Sequence, residues 1–141
     1  MLSRRVLLLG LTLAAPAAAQ PEARTLYAAK AARRYPQPVR VGDLIGRDVL
    51  EPNERQKMLG RVAAVRRSGD GVDLVVRTGG VLGIGAHLVA VPIEAVALLG
   101  EYVVLMDIAP DELARLPEAP AQGPAVPPGD TIRVGLVRPF H

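Results

Sequence analysis

Thr78-Gly79-Gly80-Val81-Leu82-Gly83-Ile84-Gly85-Ala86-His87-Leu88-Val89-Ala90-Val91-Pro92 sets four glycines in a loop that runs straight into a β-branched apolar stretch. Glycine reaches positive φ without a Cβ penalty and lets another backbone come close, so Gly79, Gly80, Gly83 and Gly85 read as a structural corner between strands. A phosphate-binding reading fails on chemistry. No Lys-Ser/Thr pair follows the last glycine, and the loop opens a strand instead of a helix whose N-terminal amides could hold an anion. The stretch informs on fold, and no cofactor is expected from it.

The same texture extends outward from this loop. From Val39 onward, short β-branched runs alternate with Gly, Asp, Asn and Pro, which predicts an all-β domain with strands near residues 44–50, 59–66, 72–78, 87–92 and 102–107. Val72, Leu74 and Val76 alternate with Asp73 and Arg77, as a strand with one buried face requires. Ser68-Gly69-Asp70-Gly71 supplies hairpin residues between two of these strands. Pro110-Asp111-Glu112 opens a short helix over residues 110–116, because proline has no amide hydrogen to lose at the first position and the acids complement the positive helix end.

The flanks read differently. Residues 1–19 combine Arg4 and Arg5, an apolar run too short to span a bilayer, and an Ala-x-Ala site, predicting an export signal cleaved after Ala19. Ser3-Arg4-Arg5-Val6-Leu7-Leu8 is also similar to a twin-arginine signal, so the expected location is the periplasm or the exterior of a bacterial cell. Residues 20–38 read as a helical spacer with an alanine-rich face and basic Lys30, Arg33 and Arg34; alanine returns little on burial, which favours loose seating on the domain. Residues 118–129 hold Pro120, Pro124, Pro127 and Pro128 among alanines and read as a semi-rigid linker. Within residues 130–141, Ile132, Val134 and Leu136 form the apolar face of a last strand that needs an edge to join, in the same subunit or in a neighbour.

Composition narrows the class of activity. Loss of Arg4 and Arg5 leaves a near-neutral domain from a chain with 17 Lys+Arg and 14 Asp+Glu, and three tyrosines with one phenylalanine provide few stacking groups, so no nucleic-acid partner is expected. With no cysteine, neither disulfides nor thiolate metal sites contribute. His87 has no second histidine or convergent carboxylate at motif spacing, and His141 ends the chain, so no metal site is expected. Asp70 with Asp73 brackets a turn and Asp111 with Glu112 suits a helix start; neither pair reads as catalytic, and no enzyme is expected.

Val41-Gly42-Asp43-Leu44-Ile45-Gly46-Arg47-Asp48-Val49, Leu59-Gly60-Arg61-Val62, the glycine loop with Val89-Ala90-Val91-Pro92, then Asp111-Glu112-Leu113 and Pro117, resemble in order and spacing the PRC-barrel family over residues 39–117. The resemblance implies a small β-barrel of the kind found in ribosome-maturation factors and in the H subunit of photosynthetic reaction centres, which acts by docking onto other macromolecules and brings no catalytic residues. The chain departs from the family in its long polar stretch over residues 51–57, and in Ala63 and Ala64, where the family often has an acid. The expected function is a non-enzymatic exported module that docks another envelope protein or itself. The alternatives are a small-ligand or ion binder using a barrel mouth near His87, and a peripheral membrane-surface protein using Lys30, Arg33 and Arg34.

Overall fold

The computed structural model describes residues 21–53, 55–79, 85–116, 118–119 and 124–137. The export signal with its cleavage after Ala19, and Gly80 and Gly83 of the glycine loop, lie outside the described residues.

The described residues form helix α1 (Pro21–Ala32), strand β1 (Gln37–Arg40), one helical turn α2 (Val41–Leu44), β2 (Asp48–Leu50), β3 (Met58–Ser68), β4 (Gly71–Thr78), β5 (His87–Pro92), β6 (Val96–Leu99), β7 (Tyr102–Leu105), the short helix α3 (Pro110–Leu113) and β8 (Thr131–Leu136). The hairpin forms where the turn residues lie. Ser68 pairs with Gly71, and Gly69 alone of the two central residues takes positive φ, +55°, the pattern of a type II′ turn. A register shift between Val62 and Ala64 marks a bulge at Ala63, and β5 extends the meander antiparallel to β4 from Thr78↔His87 to Asp73↔Pro92.

The strands join in the order β1-β8-β6-β7-β2-β3-β4-β5. Two neighbours, β2 with β7 and β6 with β8, run parallel, so the sheet is mixed. The fold is predominantly β as expected, but the sheet is open where a closed PRC-type barrel was expected, with β1 and β5 as its edges. Both edges are occupied or blunted in other ways. The outer side of β5 receives Glu118, bridged to Val89, and the Ala119 amide donates to the Leu88 carbonyl at 2.7 Å. Strand β1 is only four residues long and carries Pro38, which has no amide to donate.

Three further expectations are corrected. Leu44, expected to open the first strand, instead ends a helical turn over residues 41–44, where the Val41 and Gly42 amides donate to the Asp130 and Pro128 carbonyls, both at 2.9 Å. Gln37 and Pro38, placed at the end of the helical spacer, belong to β1 and pair with β8. The described part of the proline-rich segment is packed where a linker was expected: Val126 is buried in the core, its amide donates to the Val65 carbonyl, and the Pro124 carbonyl accepts from Arg67. Proline loses a donor but keeps its acceptor, so such a segment can still serve as a hydrogen-bonding strap.

One aliphatic core is shared between the two halves of the sheet. Val62, Val65, Leu74, Val76, Val89 and Val91 from β3, β4 and β5 meet Val96, Leu98, Val103, Leu105 and Val134 from the other half, with Leu44, Ile108 and Leu113 closing the ends. Each such fully buried aliphatic side chain contributes about 1.5–3 kcal/mol relative to exposure. The strand β6 is a continuous run, Val96-Ala97-Leu98-Leu99, buried on both faces over its first three residues, which is why alternation did not reveal it.

Candidate docking surface

The glycine corner is structural at the positions described. Gly79 and Gly85 have φ of +75° and +80°, and a Cβ placed on Gly79 would meet the His87 ring at 3.6 Å and the Gly85 carbonyl oxygen at 3.8 Å. Beside it the buried Thr78 hydroxyl donates to the Leu59 carbonyl at 2.8 Å and ties the corner to β3. His87 is half-buried against this glycine, and among the described residues no group of three or more His, Asp or Glu side chains is placed to hold a metal ion. Asp73 is engaged by Arg24, and Asp111 and Glu112 lie in the first turn of α3.

The last strand joins its own chain on both sides, antiparallel to β1 and parallel to β6. Val134 is buried and Ile132 packs on the core, but Leu136 is 36 % exposed while Gly135 is buried. The inversion has a local cause: a Cβ on Gly135 would lie 2.9 Å from the Arg34 Cβ, so the outer face of β8 accepts the Arg34 stem only at a glycine.

Helix α1 is clasped by carboxylates. Arg24 pairs with Asp73 and donates to the Ser68 carbonyl at 3.1 Å, and its Nε lies 3.8 Å from Glu94 Oε2, an ion-pair distance beyond hydrogen-bonding reach. Arg34 donates from one nitrogen to both Asp107 oxygens at 3.0 and 2.9 Å, and Lys30 stands 3.7 Å from the same carboxylate. Tyr27, partly buried between them, has its hydroxyl pKa raised above the ordinary tyrosine value by burial first, then by the charges of Glu112 and Asp107.

At the far end of β2 and β7 a different surface is presented. Arg47 stitches two loops together: its Nε donates to the Asp43 carbonyl at 2.6 Å and Nη1 to the Gly100 carbonyl at 3.1 Å. Gly100, with φ of +57°, forms the tight turn from Leu99 to Tyr102, while Gly46, at +88°, turns the chain out of α2. Ile45 and Tyr102 consequently flank a shallow depression also lined by Arg47, Asp48 and Glu101, and remain 43 % and 45 % exposed. No local pattern announced this surface. Ile45 and Tyr102 are 57 positions apart, and Arg47 links their loops through backbone carbonyls that no motif encodes. No family model matches the chain, and no curated protein matches it.

Proposed function

We propose that the chain is a non-enzymatic, exported docking module of the cell envelope, with sequence motifs that resemble the PRC-barrel family, whose contact face centres on Ile45 and Tyr102. The observation that carries this reading is the fixed presentation of one aliphatic and one aromatic side chain on two loops that Arg47 holds together. Aromatic anchors with a charged rim are what protein interfaces concentrate, and preorganised loops lose little entropy on binding. Glu101, Asp48 and Arg61, the last paired with Asp48 at 3.0 Å, supply that rim. Docking through side chains fits this sheet better than strand addition, since β1 carries Pro38 and β5 is already capped by Glu118 and Ala119.

The membrane-surface reading is weaker at Arg34, which is held on Asp107 and only 17 % exposed, than at Lys30, which stays 63 % exposed. Capture of the tagged protein from its own envelope fraction tests the docking reading. Ile45→Asp with Tyr102→Asp is expected to lose the captured partner while leaving the melting temperature unchanged. Retention of the same partner by that double variant overturns the reading.

A further inference from the structure

The joint between α1 and β1 is under conformational stress. Tyr35 sits at φ +54°, a left-handed conformation costly for any residue with a Cβ. Pro36 follows it, and a residue before proline is driven toward extended backbone instead. Pro38 stiffens the same short stretch. An extended Tyr35 would carry α1 away from its own sheet.

What α1 leaves behind is a complete seat. Gly71 makes room for the Arg24 guanidinium and Gly135 for the Arg34 stem. Asp73, Glu94 and Asp107 supply the charge, and the Leu136 amide donates to the Arg34 carbonyl at 2.8 Å. Every group of that seat lies after the joint in the chain, so a second copy offers the same seat. The joint also exposes apolar surface: Tyr35 is 57 % exposed, and Leu136, whose amide donates to the carbonyl of Arg34 next to it, is 36 % exposed.

We infer that two copies of this chain exchange α1, each helix docking on the other's Asp73, Glu94 and Asp107 with the Tyr35–Pro36 joint extended between them. Exchange preserves every ion pair of the clasp, relieves the left-handed Tyr35, and brings Tyr35 and Leu136 of the two copies together about a two-fold axis. Two extended residues reach only about 7 Å, so the two β8 ends must lie close and the dimer is compact. This inference deepens the docking reading by naming self-association as one of its modes, yet it uses a surface separate from Ile45 and Tyr102.

The test joins a mass measurement to a crosslink. Sedimentation velocity of the full chain over a wide concentration range is expected to show a dimer that exchanges slowly with monomer, because exchange requires release of α1. Tyr35→Gly, or two glycines inserted after Tyr35, is expected to shift the population to monomer. Lys30 Nζ and the Asp107 carboxylate, 3.7 Å apart across the clasp, can be joined by a zero-length carbodiimide crosslink that alters neither side chain beforehand. After crosslinking of the dimer, the swap predicts a covalent dimer on denaturing gels, with the Lys30–Asp107 peptide pair joining two chains. A Lys30–Asp107 crosslink within one chain of a dimeric protein overturns the exchange, and a monomer at every concentration overturns the dimer itself. Ile45→Asp with Tyr102→Asp is expected to leave this dimer intact, which separates failure of the exchange from failure of the docking face.

Discussion

The β3–β4 hairpin and helix α1 lie on the same sheet, and different forces hold them there. The hairpin pairs from Gly60↔Thr78 to Ser68↔Gly71 and sinks Val62, Val65, Leu74 and Val76 into the core. Helix α1 offers alanines and charges, so its hold is Arg24 on Asp73, Arg34 with Lys30 on Asp107, and one partly buried tyrosine. Apolar burial is not screened by salt and hardly responds to pH, whereas ion pairs are screened by salt and respond to pH. The hairpin therefore defines whether the domain exists, and α1 defines a state of it. The strained Tyr35 sits on the boundary between the two.

The comparison breaks most visibly if the hairpin is weakened. Leu74 is fully buried in the middle of β4, paired with Val65 and Val91 on its two neighbours. Leu74→Ala leaves a cavity in the shared core, and its expected cost is about 2–5 kcal/mol. Chemical denaturation should show that loss as a lower midpoint with an unchanged slope, and α1 should unfold in the same transition. A loss well below that range would mean that the core on this side can collapse onto the missing methyls.

The hairpin was legible for the same reason that it is strong. Strand alternation in Val72, Leu74 and Val76 and the turn at Gly69 are local, and the sequence spacing alone displays them. The seat of α1 is built from distant residues: Arg24 and Asp73 are separated by 49 positions, Arg34 and Asp107 by 73. Gly71 reads locally as a turn residue and Gly135 as a weak strand position, although each makes room for an arginine. The proline-rich segment was misread because proline removes donors, a local fact, whereas the acceptors of Pro124 and Pro128 count only once Arg67 and Gly42 are brought to them. The depression between Ile45 and Tyr102, the proposed contact face, was hidden on the same grounds, since neither residue has a neighbour in sequence that marks it.

A smaller effect is expected where the clasp is cut. In Asp107→Asn the Arg34 guanidinium, 17 % exposed, keeps its position and loses its counter-charge. Removing one partner of such a pair costs more than the pair was worth, because the remaining charge stays desolvated. The partial exposure of Arg34 limits the penalty to about 1–3 kcal/mol. Hydrogen exchange is the discriminating measurement: α1 amides should lose protection while those of β3 and β4 keep theirs. Equal loss in both would show that α1 and the hairpin are one cooperative unit.

Tyr27 provides the mildest probe of the comparison, and it reads the clasp from inside. Its pKa is raised by burial, by Glu112 and by Asp107, so the folded state holds the phenolic proton more tightly than the unfolded chain does. For an acid shifted upward, the stabilisation is fully present below the unfolded value near 10 and is lost as pH rises through the folded value. The seating of α1 should accordingly be flat with respect to Tyr27 at neutral pH and weaken in strongly alkaline solution. Glu112→Gln removes the carboxylate with the larger effect on the hydroxyl, so it should lower the Tyr27 pKa more than Asp107→Asn does. Titration of the Tyr27 ring carbon shifts by NMR gives both values. If the two variants fall in the reverse order, Tyr27 faces Asp107 and the base of the clasp instead of α3. If neither moves it, burial alone sets the shift, and α1 is held at its centre by the same apolar force as the hairpin.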